Sequence, residues 1–107
     1  MTSLFNLEGK TVFITGGAGL LGEKHAEAII EHGGQAILAD IDYQTAKEKA
    51  DKLNKMYERE GAIPCYVDIT KKESIEHAVN LFDTIEVLIN NATIDPKVEK
   101  GLQTINR

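Results

Sequence analysis

The sequence predicts an α/β fold built on a parallel sheet, and three observations carry that prediction. Four short apolar runs, Thr11 to Thr15, Gln35 to Asp40, Ile63 to Asp68 and Ile85 to Ile89, alternate with stretches of helical periodicity. Gly16, Gly19 and Gly22 interrupt the chain where the first run gives way to the first helix. The second run ends in an acid, Asp40, roughly 20 residues beyond those glycines, the distance at which a ribose-binding carboxylate is expected in dinucleotide sites.

At 107 residues the chain is expected to form one domain, and its 42% hydrophobic content is ordinary for a globular protein. The formal charge of −5 leaves no basic footprint, so neither nucleic acid nor an anionic membrane is expected as a partner. No window approaches the ~20 apolar residues of a membrane span, and the N-terminal stretch lacks a signal-peptide core. Cys65 is the only cysteine, which excludes an internal disulfide and suits a buried thiol in a reducing compartment. A cytoplasmic location is expected.

Taken in order, Leu4, Phe5 and Leu7 form a lead-in expected to pack beneath the sheet. The β-branched and aromatic run Thr11-Val12-Phe13-Ile14-Thr15 reads as a buried parallel strand. The spacing Gly16-x-x-Gly19-x-x-Gly22 then permits a sharp turn, close approach of a ligand to the backbone, and a helix opening at Leu20. Free N–H groups at such a helix start suit a pyrophosphate without any basic side chain. Glycines alone equally suit a turn that holds no ligand.

Leu21, Ala28 and Ile29 are expected to form the buried stripe of the first helix, which Gly33-Gly34 stops. His25 falls on that stripe and reads as a packed, hydrogen-bonded histidine, while His32 complements the helix C-terminus. Asp40 closes the second strand. A carboxylate there accepts hydrogen bonds from both adenosine ribose hydroxyls and opposes a 2′-phosphate, which favours NAD over NADP. The alternative is a solvated loop acid beside Asp42.

Tyr43 to Glu60 is the second helix, with Ala46, Ala50, Leu53 and Tyr57 inward and Glu48–Lys52 and Asp51–Lys55 as i,i+4 pairs. Pro64 cannot donate to a ladder, so the third strand is expected at a sheet edge. Thr70-Lys71-Lys72-Glu73 has the form of a capping box, and Ile75, Ala78, Val79 and Phe82 follow as a third buried stripe, with His77 toward water. The fourth strand runs into Asn90-Asn91-Ala92-Thr93, polar groups suited to lining a crevice. The remainder, about 94–107, defines no clear element.

Right-handed crossovers wind this β-α-β-α-β-α-β order into strand order 3-2-1-4. Thr15-Gly16-Gly17-Ala18-Gly19-Leu20-Leu21-Gly22, Asp40, Asp68-Ile69-Thr70 and Asn90-Asn91-Ala92 together resemble the short-chain dehydrogenase/reductase family. The resemblance covers nearly the whole chain but only the first half of a family member. It implies a Rossmann-like sheet, truncated relative to a complete member, and a single partial dinucleotide-binding domain over residues 1–107. It implies cofactor-binding roles for Gly16, Gly19, Leu21, Gly22, Asp40, Asp68, Ile69, Asn91 and Ala92, with Asp68 and Ile69 flanking adenine and Asn91 and Ala92 beside a ribose.

Two departures stand out. Leu20 occupies a position where many members have glycine, and Thr93 replaces the glycine after Asn-Asn-Ala. The family's chemistry is hydride transfer between nicotinamide and an alcohol or carbonyl carbon, using a tyrosine, a lysine four residues later and a serine. No catalytic residue is assigned here, because Tyr43-x-x-x-Lys47 lies at the adenosine end of the expected site. The expected function is therefore the NAD-binding portion of a short-chain oxidoreductase, with a small-molecule substrate only if a catalytic half exists. The alternative is a non-catalytic dinucleotide-binding sensor or regulatory module. Self-association through an unpaired fourth strand is expected in either case.

Overall fold

A computed structural model describes residues 6–91. Along the chain lie β1 (Thr11–Thr15), α1 (Leu20–Glu31), β2 (Gln35–Asp40), α2 (Tyr43–Tyr57), β3 (Ala62–Tyr66), α3 (Lys72–Asn80) and β4 (Val87–Asn90). All strand pairs are parallel, in the order β3-β2-β1-β4 expected from the sequence. Pro64 sits on β3 opposite Leu38, and β3 is an edge strand, so its missing N–H breaks no interior ladder. The expected tail over 94–107, together with Leu4, Phe5, Ala92 and Thr93, lies outside the described residues.

The two faces of the sheet are filled by alternate residues of the same strands, as a period of two requires. Val12, Ile14, Ala36 and Leu38 pack against Ala26, Ile29 and Ile30 of α1 and Ala46, Ala50 and Leu53 of α2, with Leu7 against the edge of this cluster. Phe13, Ile37, Ala39, Cys65 and Val67 point the other way, toward Ile75, Ala78, Val79 and Phe82. Burial on both faces explains why β1 and β2 read as continuous apolar runs. Phe13 and Phe82 meet edge to face with ring centroids 6.4 Å apart.

Several local expectations are corrected. The buried side of α1 is Gly22, Glu23, Ala26, Ile29 and Ile30, whereas Leu21 and Ala28 are exposed. The cause is Gly22, which presses on the glycine loop and so sets the rotational phase of the helix. His25 is half-buried, and its Nε2 is buried with no hydrogen-bond partner. His32 does complement the end of α1, its Nδ1 lying 2.7 Å from the Ala28 carbonyl oxygen.

On α2 the expected pairs are replaced. Lys47 bridges to Asp51 at 3.1 Å, while Lys49 and Lys52 turn toward Glu23 of α1 at 3.2 and 3.1 Å. A buried carboxylate attracts lysines more strongly than exposed neighbours on the same helix do. The capping box is not formed either. The N-cap of α3 is Lys71, and Thr70 instead donates its hydroxyl and its N–H to Asp68.

Asn54 ties α2 to β3. Its Oδ1 accepts the Ala62 N–H at 2.7 Å and its Nδ2 donates to the Ala62 carbonyl at 2.9 Å. β4 closes the other edge with Val87 44% and Leu88 56% exposed. No described helix is long and apolar enough to cross a membrane.

Candidate cofactor cleft

The strands end, at their carboxyl termini, on a cleft of about 400 Å³ lined by Gly16, Gly19, Asp40, Ile41, Val67, Asp68, Ile69, Thr70 and Asn91. β1 is followed in sequence by β2 on one side and flanked by β4 on the other, so the cleft lies where the winding reverses.

The three motif glycines do different work. Gly16 adopts φ 71°, the left-handed region that side chains disfavour. A Cβ on Gly22 would lie 2.5 Å from the Gly16 carbonyl oxygen and 2.8 Å from Gly17 Cα, so Gly22 is required for the loop to pack on the helix. A Cβ on Gly19 meets only the Gly16 carbonyl oxygen at 3.4 Å. Packing therefore does not demand a glycine at position 19; the open space on its cleft side does the explaining. Gly17 is equally constrained, since a Cβ there would lie 2.6 Å from Leu38 Cα.

Asp40 is bound to the loop and to the start of the next turn: Oδ2 accepts the Ala18 N–H at 3.0 Å and Oδ1 accepts the Asp42 N–H at 2.9 Å. Each oxygen keeps a further lone pair for a ligand hydroxyl. Asp68 Oδ1 accepts the Thr70 hydroxyl at 2.7 Å and the Thr70 N–H at 3.0 Å, and these bonds hold its carboxyl below the usual carboxylate range. Ser74 Oγ accepts the Asp68 N–H at 2.8 Å and locks the segment to α3.

At the β1–β4 junction the Thr15 hydroxyl donates to Asn90 Oδ1 at 2.7 Å, and the Asn91 N–H donates to the Thr15 carbonyl at 3.1 Å. The Asn91 carboxamide is different: both Oδ1 and Nδ2 are buried without a hydrogen-bond partner. An unmatched buried amide costs on the order of 1–3 kcal/mol, which a polar ligand in the cleft offsets.

Of the residues expected from the sequence, the cleft gathers Gly16, Gly19, Asp40, Asp68, Ile69 and Asn91. Gly22 lies beneath the loop, Leu21 is 47% exposed and outside the cleft lining, and Ala92 is outside the described residues. Ile41, Val67 and Thr70 also line the cleft. The signal for them was adjacency, since each directly neighbours a residue at a strand's carboxyl end or in the following turn. Tyr43 and Lys47 lie on α2 outside the lining, with Lys47 engaged by Asp51, whose carboxylate raises the ammonium pKa.

Residues 10–106 match the sequence profile of the short chain dehydrogenase family. The chain belongs to that family. It is 36% identical over 105 residues to the short chain dehydrogenase/reductase dpfgG of Gibberella zeae, covering 92% of this chain and 37% of that protein. It is 32% identical over 96 residues to zerumbone synthase of Zingiber zerumbet, covering 82% of this chain and 33% of that one. Among solved structures, a 3-ketoacyl-(acyl-carrier-protein) reductase from Brucella melitensis superposes with a TM-score of 0.70 at 29% identity, over 83% of this chain and 36% of that one. The chain spans about a third of the length of these proteins.

Proposed function

We propose that the chain is the NAD-binding part of a short-chain oxidoreductase, forming one partial domain over residues 1–107. The observation that carries this reading is the cleft itself: an open glycine, two strand-end carboxylates and an unpaired buried carboxamide converge on one volume. In this reading Gly16, Gly19, Leu21 and Gly22 shape the backbone around the pyrophosphate, and Asp40 accepts the adenosine ribose hydroxyls. Asp68 and Ile69 flank adenine, while Asn91 and Ala92 lie beside the second ribose. Bound NAD supplies hydride transfer; these residues bind and orient it.

NAD is favoured over NADP because, among the described residues, the lining contains two carboxylates, Asp40 and Asp68, and no lysine or arginine. A 2′-phosphate beside Asp40 meets a like charge it cannot neutralise. The single buried thiol Cys65 suits the cytoplasm.

Calorimetry tests the reading. The expected result is NAD binding to the full chain, NADP binding at least about tenfold weaker, and weakened NAD binding by Asp40→Ala. Absence of heat with millimolar NAD, unchanged in Asp40→Ala, overturns it.

A second reading, a dinucleotide-binding sensor without catalysis, is favoured by the position of Tyr43 and Lys47 away from the cleft. The intact mass of the protein from its native source separates the two: a mass well above 11.8 kDa supports the oxidoreductase, and one near it supports the sensor. We also propose self-association through β4, where Val87 and Leu88 are exposed on an edge strand. A monomeric mass by light scattering across a concentration series counts against it.

A further inference from the structure

Among the described residues Glu23 is the only buried charged side chain, 7% exposed. It is the fourth residue of α1, and the helical rise places it about 5 Å along the axis from the helix start. Its N–H donates to the Gly19 carbonyl at 3.0 Å, and Gly22 beside it rests on the glycine loop. A buried carboxylate so near the cradle opposes any anion held there. Lys49 Nζ lies 3.2 Å from Glu23 Oε1 and Lys52 Nζ 3.1 Å from Oε2, so two ammonium groups answer one carboxylate. One lysine suffices for neutrality. The second leaves this three-residue cluster with a unit of positive charge beside the first turn of α1.

We propose that Glu23, Lys49 and Lys52 form a charged strut between α1 and α2 whose net positive charge strengthens pyrophosphate binding at the glycine loop. The inference rests on the NAD-binding reading above and adds positioning residues that make no contact with the ligand. It separates cleanly from a packing role. If charge matters, Glu23→Gln leaves two lysines unopposed and tightens NAD binding, whereas Lys52→Gln weakens it. Lys49→Gln with Lys52→Gln weakens it further. Glu23→Gln with Lys52→Gln restores the original net charge and returns affinity close to that of the unmodified chain. If only packing matters, none of these changes tightens binding and the Glu23→Gln, Lys52→Gln double variant does not recover what either single change loses.

The test is NAD titration by calorimetry of the full chain and these variants, with circular dichroism to confirm folding. Each unit of charge is expected to move the dissociation constant about two- to fivefold at low ionic strength. The differences are expected to shrink at about 1 M salt, where the screening length is near 3 Å. Weaker binding by Glu23→Gln, or an order of affinities that survives high salt, overturns the proposal. Should Glu23→Gln fail to fold, Lys52→Gln decides alone, because the Lys52 side chain is 60% exposed. A salt-sensitive loss supports the strut, and an unchanged or salt-insensitive affinity overturns it. An unmodified chain that binds no NAD overturns the cofactor reading and this inference together, whereas NAD binding with the wrong order of variants overturns this inference only.

Discussion

Asp40 holds the glycine loop in place from the neighbouring strand: its Oδ2 accepts the Ala18 N–H at 3.0 Å across the gap between β2 and the β1–α1 turn. The acid that the motif assigns to a ribose is therefore also part of the loop's own structure. Asp40→Ala is expected to lower stability by about 1 kcal/mol, through the lost backbone partner, and to weaken NAD binding by at least about tenfold. Urea denaturation and calorimetry on the same preparation report the two effects separately.

The motif glycines divide into packing and ligand roles. Gly22→Ala forces a Cβ to within 2.5 Å of the Gly16 carbonyl oxygen and is expected to cost about 1–3 kcal/mol of stability. Gly19→Ala, with its nearest contact at 3.4 Å, is expected to cost less than about 1 kcal/mol yet impair NAD binding. Comparing urea midpoints with NAD affinities for the two variants checks this; equal destabilisation by both contradicts it.

Glu23, Asp42 and Asp68 each hold their carboxyls below the ordinary range, through the Lys52 ion pair, the Thr45 hydroxyl and the Thr70 hydroxyl respectively. A carboxyl with a depressed folded pKa binds its proton less readily in the folded than in the unfolded chain. Its contribution is complete above the unfolded values, about 4, and is lost as pH falls through the folded ones. Urea midpoints are therefore expected to drop between about pH 5 and pH 2, and Glu23→Gln to make that drop shallower.

Asn54 substitutes for a missing strand neighbour at the start of β3, making both backbone hydrogen bonds to Ala62. Asn54→Ala is expected to destabilise by about 2 kcal/mol, because the Ala62 groups are left partly buried and unmatched. Hydrogen exchange at the Ala62 amide offers a local check: its protection is expected to fall more than that of β1.

Strand order, the edge position of β3 and the location of the cleft were all legible in the chain. Each rests on local signals with a direct steric meaning: apolar runs too short for helices, a proline that cannot donate, glycines before a helix and an acid after a strand. Gly16, Gly19, Asp40 and Asn91 followed from the same pattern, since residues at the carboxyl ends of parallel strands converge wherever the winding reverses, whereas Asp68 and Ile69 followed from the family resemblance.

What the pattern could not contain was anything set by contact between distant segments. The phase of α1 depended on how Gly22 meets Gly16, which turned Leu21 outward and Glu23 inward. The partners of Lys49 and Lys52 depended on that phase, because a buried carboxylate on another helix outcompetes exposed acids on their own. Thr70 gave up the helix cap for Asp68 because the β3–α3 connection folds back on itself. Local sequence determined which residues reach the sheet's carboxyl end; only tertiary packing decided which way their side chains turned and which charges they met, because those choices are made by neighbours far away along the chain.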